Sequence, residues 1–177
     1  MPSPYKHRTA LPLWQPLAVF LLSFFLLQLG WNHARGSWLE RWVIDYATVH
    51  TSVALINTLT PQVAAAARGA SIYAREGGIN VRNGCEGTEI LFLLLAALLA
   101  YPFSWRLRLL GAVVGTVYVF VINQARLLAL FYSFRSDRAL FDQLHGVVAP
   151  LVLIVCTLLY FVALRSLDRL PRAQARG

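Results

Sequence analysis

The stretch from residue 107 to residue 134, LRLLGAVVGTVYVFVINQARLLALFYSF, decides the fold. It is too long and too uniformly apolar for one buried strand or one face of a soluble helix, and its length suits a helix that crosses a bilayer. Beyond Arg108 near its start, the only charge in the run is Arg126. Placing an arginine in hydrocarbon costs at least about 2.5 kcal/mol on insertion scales, so such residues usually serve a cavity or a partner.

Three further apolar runs flank this one. Leu11–Trp31 follows Lys6 and Arg8, and its length suits a retained span better than the core of a cleaved signal peptide. Thr88–Tyr101 is short but extends through Gly87 to Trp105, enough for a thin or tilted crossing. Val147–Leu164 closes the set. The composition agrees, with 58% of the 177 residues hydrophobic and 14% charged, whereas soluble domains carry about a quarter charged residues. The expected fold is an all-α integral membrane protein forming one domain over residues 1–177, with about four spans near 11–31, 87–105, 107–126 and 147–165.

The net charge of +8 has a topological reading. Its arginines sit beside apolar runs, with little polar surface to form a nucleic-acid groove, so membrane orientation and anionic lipid headgroups account for them and nucleic acid is excluded as a partner. Lys6, Arg8, Arg106, Arg108, Arg165, Arg169, Arg172 and Arg176 crowd the N-terminus, one short loop and the tail. Local basic density near helix ends sets orientation, which places both termini in the cytoplasm. Between the first two spans, Val43–Leu59 mixes apolar residues with Asp45, His50 and Asn57 and suggests an amphipathic helix in the outer interface. A fifth span is the competing reading of that segment. Ser71–Asn83 alternates around Gly77-Gly78, which suits a short β-hairpin turning on the two glycines.

Alternating helix direction then brings distant residues to one depth. The second span runs inward from Cys85, the third outward to Arg126 and the fourth inward from His145, so all three fall at the outer membrane face. A thiol is a good nucleophile once deprotonated, and a nearby cation or a helix start favours the thiolate. Gly84 and Gly87 beside Cys85 offer room for a substrate backbone, and Asn83 and Glu86 make the setting polar. A guanidinium at Arg126 suits a developing oxyanion, with Asn123 one turn earlier placed to orient it. A histidine passes protons between thiol, leaving amine and incoming nucleophile. Each residue also has a plainer reading: an inert buried cysteine, a snorkelling arginine, an interfacial histidine. His33 and His50 share the outer side with His145, whereas His7 lies on the other. The second cysteine, Cys156, lies about 16 Å along its helix from the outer end, out of reach of a bond needing Cα atoms within about 7 Å. It reads as a small apolar packing residue.

Asn83-Gly84-Cys85-Glu86-Gly87 before one span, Asn123-Gln124-Ala125-Arg126-Leu127 at the end of the next and His145-Gly146 opening the last resemble the exosortase/archaeosortase membrane transpeptidases. The resemblance covers roughly residues 70–165, and the small size is similar to the compact exosortase H subfamily. Many members carry a longer N-terminal helical region and a small Ser or Thr at the position of Glu86. The resemblance implies an enzyme of the bacterial inner membrane acting on exported proteins that end in a short motif, a membrane helix and a basic tail. It implies cleavage at the motif through a cysteine thioester and transfer to an envelope acceptor. By it Cys85 is the nucleophile, Arg126 the oxyanion or substrate-orienting cation and His145 the acid/base, and no metal or organic cofactor is implied. The rival classes are a non-catalytic membrane scaffold, a thiol-redox enzyme, which lacks a CxxC pair here, and a transporter, which lacks a paired carboxylate path.

Overall fold

A computed structural model describes residues 12, 14–75, 77–81 and 84–174. Three helical stretches are long and apolar enough to cross a membrane. The first is α1 (Trp14–Ala34) and the second α5 (Trp105–Ser136). The third joins α6 (Arg138–Gln143), a wide-turn segment Leu144–Val148 and α7 (Ala149–Gln174). Leu22, Phe25 and Leu29 on α1, and Leu151, Leu158 and Val162 on α7, lie exposed. Such belts suit contact with lipid rather than water.

The second expected span is shorter than its sequence suggests. Helix α4 covers Thr88–Ala100, 13 residues, or about 20 Å against a hydrocarbon thickness of about 30 Å. Pro102 is the reason. The residue before a proline is pushed out of the helical region, and Tyr101 is extended at φ −81°, ψ 139°. Helix α4 packs against α1, α5 and α7. Gly111 and Gly115 let α5 approach closely there: a Cβ on Gly111 meets Leu164 and one on Gly115 meets Leu94 and Tyr160. The Tyr160 hydroxyl donates to the Gly111 carbonyl across that contact, 2.8 Å.

The third apolar run, 107–134, is helical throughout, past the end of the span expected at residue 126. Helix α5 runs ten residues past Arg126, to Ser136. Its C-terminal end buries Leu127, Leu130 and Phe131 in a core shared with Ile44, Val49, Ile56, Ile72 and Val81. Those partners come from a layer built between α1 and α4. It begins with α2 (Trp38–Arg41), a wide-turn segment Trp42–His50 and α3 (Thr51–Leu59), the helical arm expected from Val43–Leu59. One side of the arm is buried through Ile44, Thr48, Val49, Ser52 and Ile56, while the aromatic Trp38, Trp42 and Tyr46 stand exposed on the other. Within the core the Ser52 hydroxyl donates to Gln124 Oε1 at 2.6 Å, tying the arm to α5.

The sheet that follows has three antiparallel strands rather than a lone hairpin, in the order β1 (Ala66–Arg68), β2 (Ser71–Ala74), β3 (Gly77–Asn80). The expected two-glycine turn is displaced. Ala74 pairs with Gly77, so the chain reverses before the first glycine and both glycines lie in β3. Contacts require them there. Gly77 sits at φ +118° with the Phe134 ring 3.1 Å from where a Cβ stands, and a Cβ on Gly78 runs into the Ile72 carbonyl. The glycines serve close approach to neighbours instead of reversal of the chain.

Candidate active site

The chain leaves β3, passes through Cys85 and enters α4 at its cap residue Gly87. Cys85 is therefore two residues ahead of the helix cap, outside the first turn whose N–H groups were expected to favour a thiolate. It is 4% exposed. Burial pushes the thiol up from its ordinary value and the Glu86 carboxylate adds to that, while Arg126 pulls it down. The net shift is upward, so the resting group is the neutral thiol.

Two side chains from other elements reach the sulfur. His145 Nδ1 stands 3.6 Å from Cys85 Sγ, and Arg126 Nη2 stands 3.9 Å from it. Both separations lie within reach of a sulfur hydrogen bond. Arg126 is anchored by Nη1 donating to the Gly84 carbonyl at 3.1 Å, so its guanidinium fixes the loop that presents the thiol. This is a buried-side partner, not the free interfacial position a snorkelling arginine takes. His145 is exposed and lies in the wide-turn segment between α6 and α7. Wide turns inside helices recur at functional positions because they shift side-chain phase. Phe141 stacks flat on its imidazole, centroids 5.5 Å apart at 4°, and Phe134 packs edge-on against Phe141.

The supporting residues divide. Asn123 Nδ2 donates to the Cys85 carbonyl at 3.1 Å, so it holds the nucleophile's backbone rather than orienting Arg126 as expected. Gly87, at φ +80°, does not open toward a substrate: a Cβ there comes 2.9 Å from Asn123 Cγ. Its glycine is needed for packing. Gly84, at φ +97°, has nothing within 4 Å of a Cβ and does leave open space. Glu86 accepts from the Gly84 N–H at 2.8 Å and from the Thr88 hydroxyl at 3.4 Å, stiffening the same loop. Asn83 and His7 lie outside the described residues. His50 stacks on Tyr46 at 5.4 Å instead of joining this group.

Two cavities adjoin the three side chains. One, of about 360 Å³, is lined by β3, Cys85, Phe134, Phe141 and His145. The other, of about 320 Å³, is apolar, lies between α5 and α7 and has Arg126 in its wall and Cys156 farther along. Both cysteines are free. Sequence reasoning missed Phe141 and the strand wall of the first cavity. Phe141, four residues before His145, carried a legible signal at one-turn spacing; the strand wall carried none.

This arrangement, a neutral thiol between an imidazole and a guanidinium, is able to move a proton from sulfur to nitrogen and to stabilise negative charge beside the sulfur. Comparison with known proteins identifies a family. The family model described as transmembrane exosortase matches residues 5–162, nearly the whole chain. No curated protein and no solved structure matches. The chain belongs to the transmembrane exosortase family.

Proposed function

We propose that this exosortase-family protein is a membrane cysteine transpeptidase that processes exported proteins ending in a short motif, a membrane helix and a basic tail. The observation that carries this reading is the Cys85 sulfur standing 3.6 Å from His145 Nδ1 and 3.9 Å from Arg126 Nη2. In the proposed reaction the Cys85 proton passes to His145 as the sulfur attacks the scissile carbonyl carbon. Arg126 stabilises the oxyanion of the tetrahedral intermediate. The C–N bond then breaks, His145 returns its proton to the leaving amine, and the substrate remains as a thioester on Cys85. An envelope nucleophile gives a proton to His145, attacks the same carbon and releases the thiolate, which recovers its proton.

The protein is proposed to lie in the bacterial inner membrane with both termini cytoplasmic, four apolar helices in the bilayer and the thiol at the outer face. Crowding of arginine in the loop before α5 and in the tail supports that orientation. Lipid covers the exposed apolar sides of α1 and α7, and the side chains above suffice for the scheme without a metal or organic cofactor. The thin helix α4 is compatible with a locally thinned bilayer or with shelter by its neighbours.

The reading is tested by replacing the chromosomal gene with the Cys85→Ala variant and sequencing the C-termini of envelope proteins by mass spectrometry. Exported proteins that end in an apolar span and basic tail accumulate uncut, whereas Cys156→Ala leaves processing intact. Normal C-termini in the Cys85→Ala strain, at parental membrane abundance, overturn the enzyme reading and leave a scaffold.

A further inference from the structure

The wall of the outer cavity opposite His145 is a strand with one neighbour. Among the described residues β3 is the end strand of the sheet, paired with β2 on one side. The Val81 N–H donates to the Ala70 carbonyl at 2.8 Å, fixing which residues face β2. Backbone pairing alternates along an antiparallel ladder. Ile79 and Gly77, two and four residues back, therefore turn their peptide groups toward β2, and Gly78 between them turns its N–H and C=O toward the open edge. Gly78 and Ile79 line the same cavity of about 360 Å³ as Cys85 and His145. With no side chain at Gly78, the strand backbone itself forms that part of the wall. An outer strand edge beside a reactive group is a ready template for an extended peptide, which gains main-chain hydrogen bonds there.

We infer that the segment of substrate on the acyl side of the cleaved bond docks as an added strand on β3, one of its residues exchanging backbone hydrogen bonds with Gly78. This rests on the reading of Cys85 as nucleophile and extends it to how the peptide is held. The occupant is an extended chain and not a helix, because the cavity combines a strand's backbone edge with the side chains of Phe134 and Phe141. Side-chain selectivity then falls on alternate substrate residues, the ones that stand off the added strand toward those rings.

The test uses the full-length protein in lipid nanodiscs and four probes of Cys85. These are methyl vinyl sulfone, acetyl-Ala-Ala-Ala vinyl sulfone, and two versions of the latter N-methylated at one or the other of its two adjacent amides nearest the warhead. The tripeptide probe is expected to label Cys85 faster than methyl vinyl sulfone. One N-methylation is expected to slow it about five- to tenfold, the worth of one backbone hydrogen bond, while the other leaves the rate within about twofold. Equal rates for both methylated probes overturn the strand-addition proposal. Methyl vinyl sulfone reports the thiol alone, so failure of the nucleophile is read separately. Amide hydrogen exchange with the tripeptide probe present is a second, independent test: exchange at Gly78 is expected to slow at least about tenfold with Ile79 unchanged, and an unchanged Gly78 overturns the proposal.

Discussion

Nδ1 of His145 stands 3.6 Å from Sγ of Cys85, across sixty residues of sequence, and the Phe141 ring stacks on the imidazole. The pair joins a buried thiol to an exposed base. Because burial and Glu86 hold the thiol up while Arg126 pulls it down, the direction of each charge change is fixed in advance.

Iodoacetamide labelling of Cys85 as a function of pH checks those directions. The wild-type midpoint lies above that of an ordinary free cysteine. Glu86→Gln removes a negative neighbour but keeps an acceptor for the Gly84 N–H, so its midpoint moves down and labelling at neutral pH quickens. Arg126→Gln removes the counter-charge and moves the midpoint up. Shifts in one common direction contradict this electrostatic picture.

Arg126→Lys keeps the charge but loses the planar fork that reaches both the Gly84 carbonyl and the sulfur. Losing one oxyanion donor typically costs on the order of a hundredfold to a thousandfold in rate. That loss is expected in substrate processing at matched abundance, with the exposed Arg106→Lys at the far end of α5 as control. A parental rate in Arg126→Lys makes the residue an interface anchor.

Gly84 and Gly87 both have positive φ but differ in surroundings, which separates two effects. Gly84→Ala pays for left-handed backbone alone, whereas Gly87→Ala also drives a methyl into Asn123, 2.9 Å from its Cγ. Backbone strain of this kind costs about 1–3 kcal/mol, so Gly87→Ala is expected to lower the detergent-solubilised unfolding temperature further than Gly84→Ala. Equal losses contradict the packing account of Gly87.

Reporter fusions at residue 104 and after the tail are expected on the cytoplasmic side, and a fusion at residue 140 outside, from the arginine crowding alone. A cytoplasmic residue 140 places the thiol on the wrong face for an exported substrate.

The membrane character and the meeting of Cys85, Arg126 and His145 at one depth were legible because apolar run length and alternating helix direction are one-dimensional properties. What hydropathy cannot separate is lipid from protein as the apolar partner. Leu127, Leu130 and Phe131 read like a continuing span, yet they pack against the arm and the sheet. Pro102 held the signal that shortens α4, but the apolar residues beyond it hid the stop. Asn123 and Arg126 lie one turn apart, which suggested a mutual contact; their true partners are the Cys85 and Gly84 carbonyls on another element. Lateral contacts of that kind, and the shift of Gly77-Gly78 from turn to strand, are set by packing that no local spacing records.

The central claim is that Cys85 carries the substrate as a thioester. Its most direct test is intact-mass and peptide analysis of the wild-type protein, acid-quenched from its own host membranes and treated with or without neutral hydroxylamine. The account predicts a hydroxylamine-labile acyl adduct on the Cys85 peptide, absent from Cys85→Ala and from the Cys156 peptide. An unmodified Cys85 in the acid-quenched wild-type protein, together with normal processing in Cys85→Ala, contradicts it.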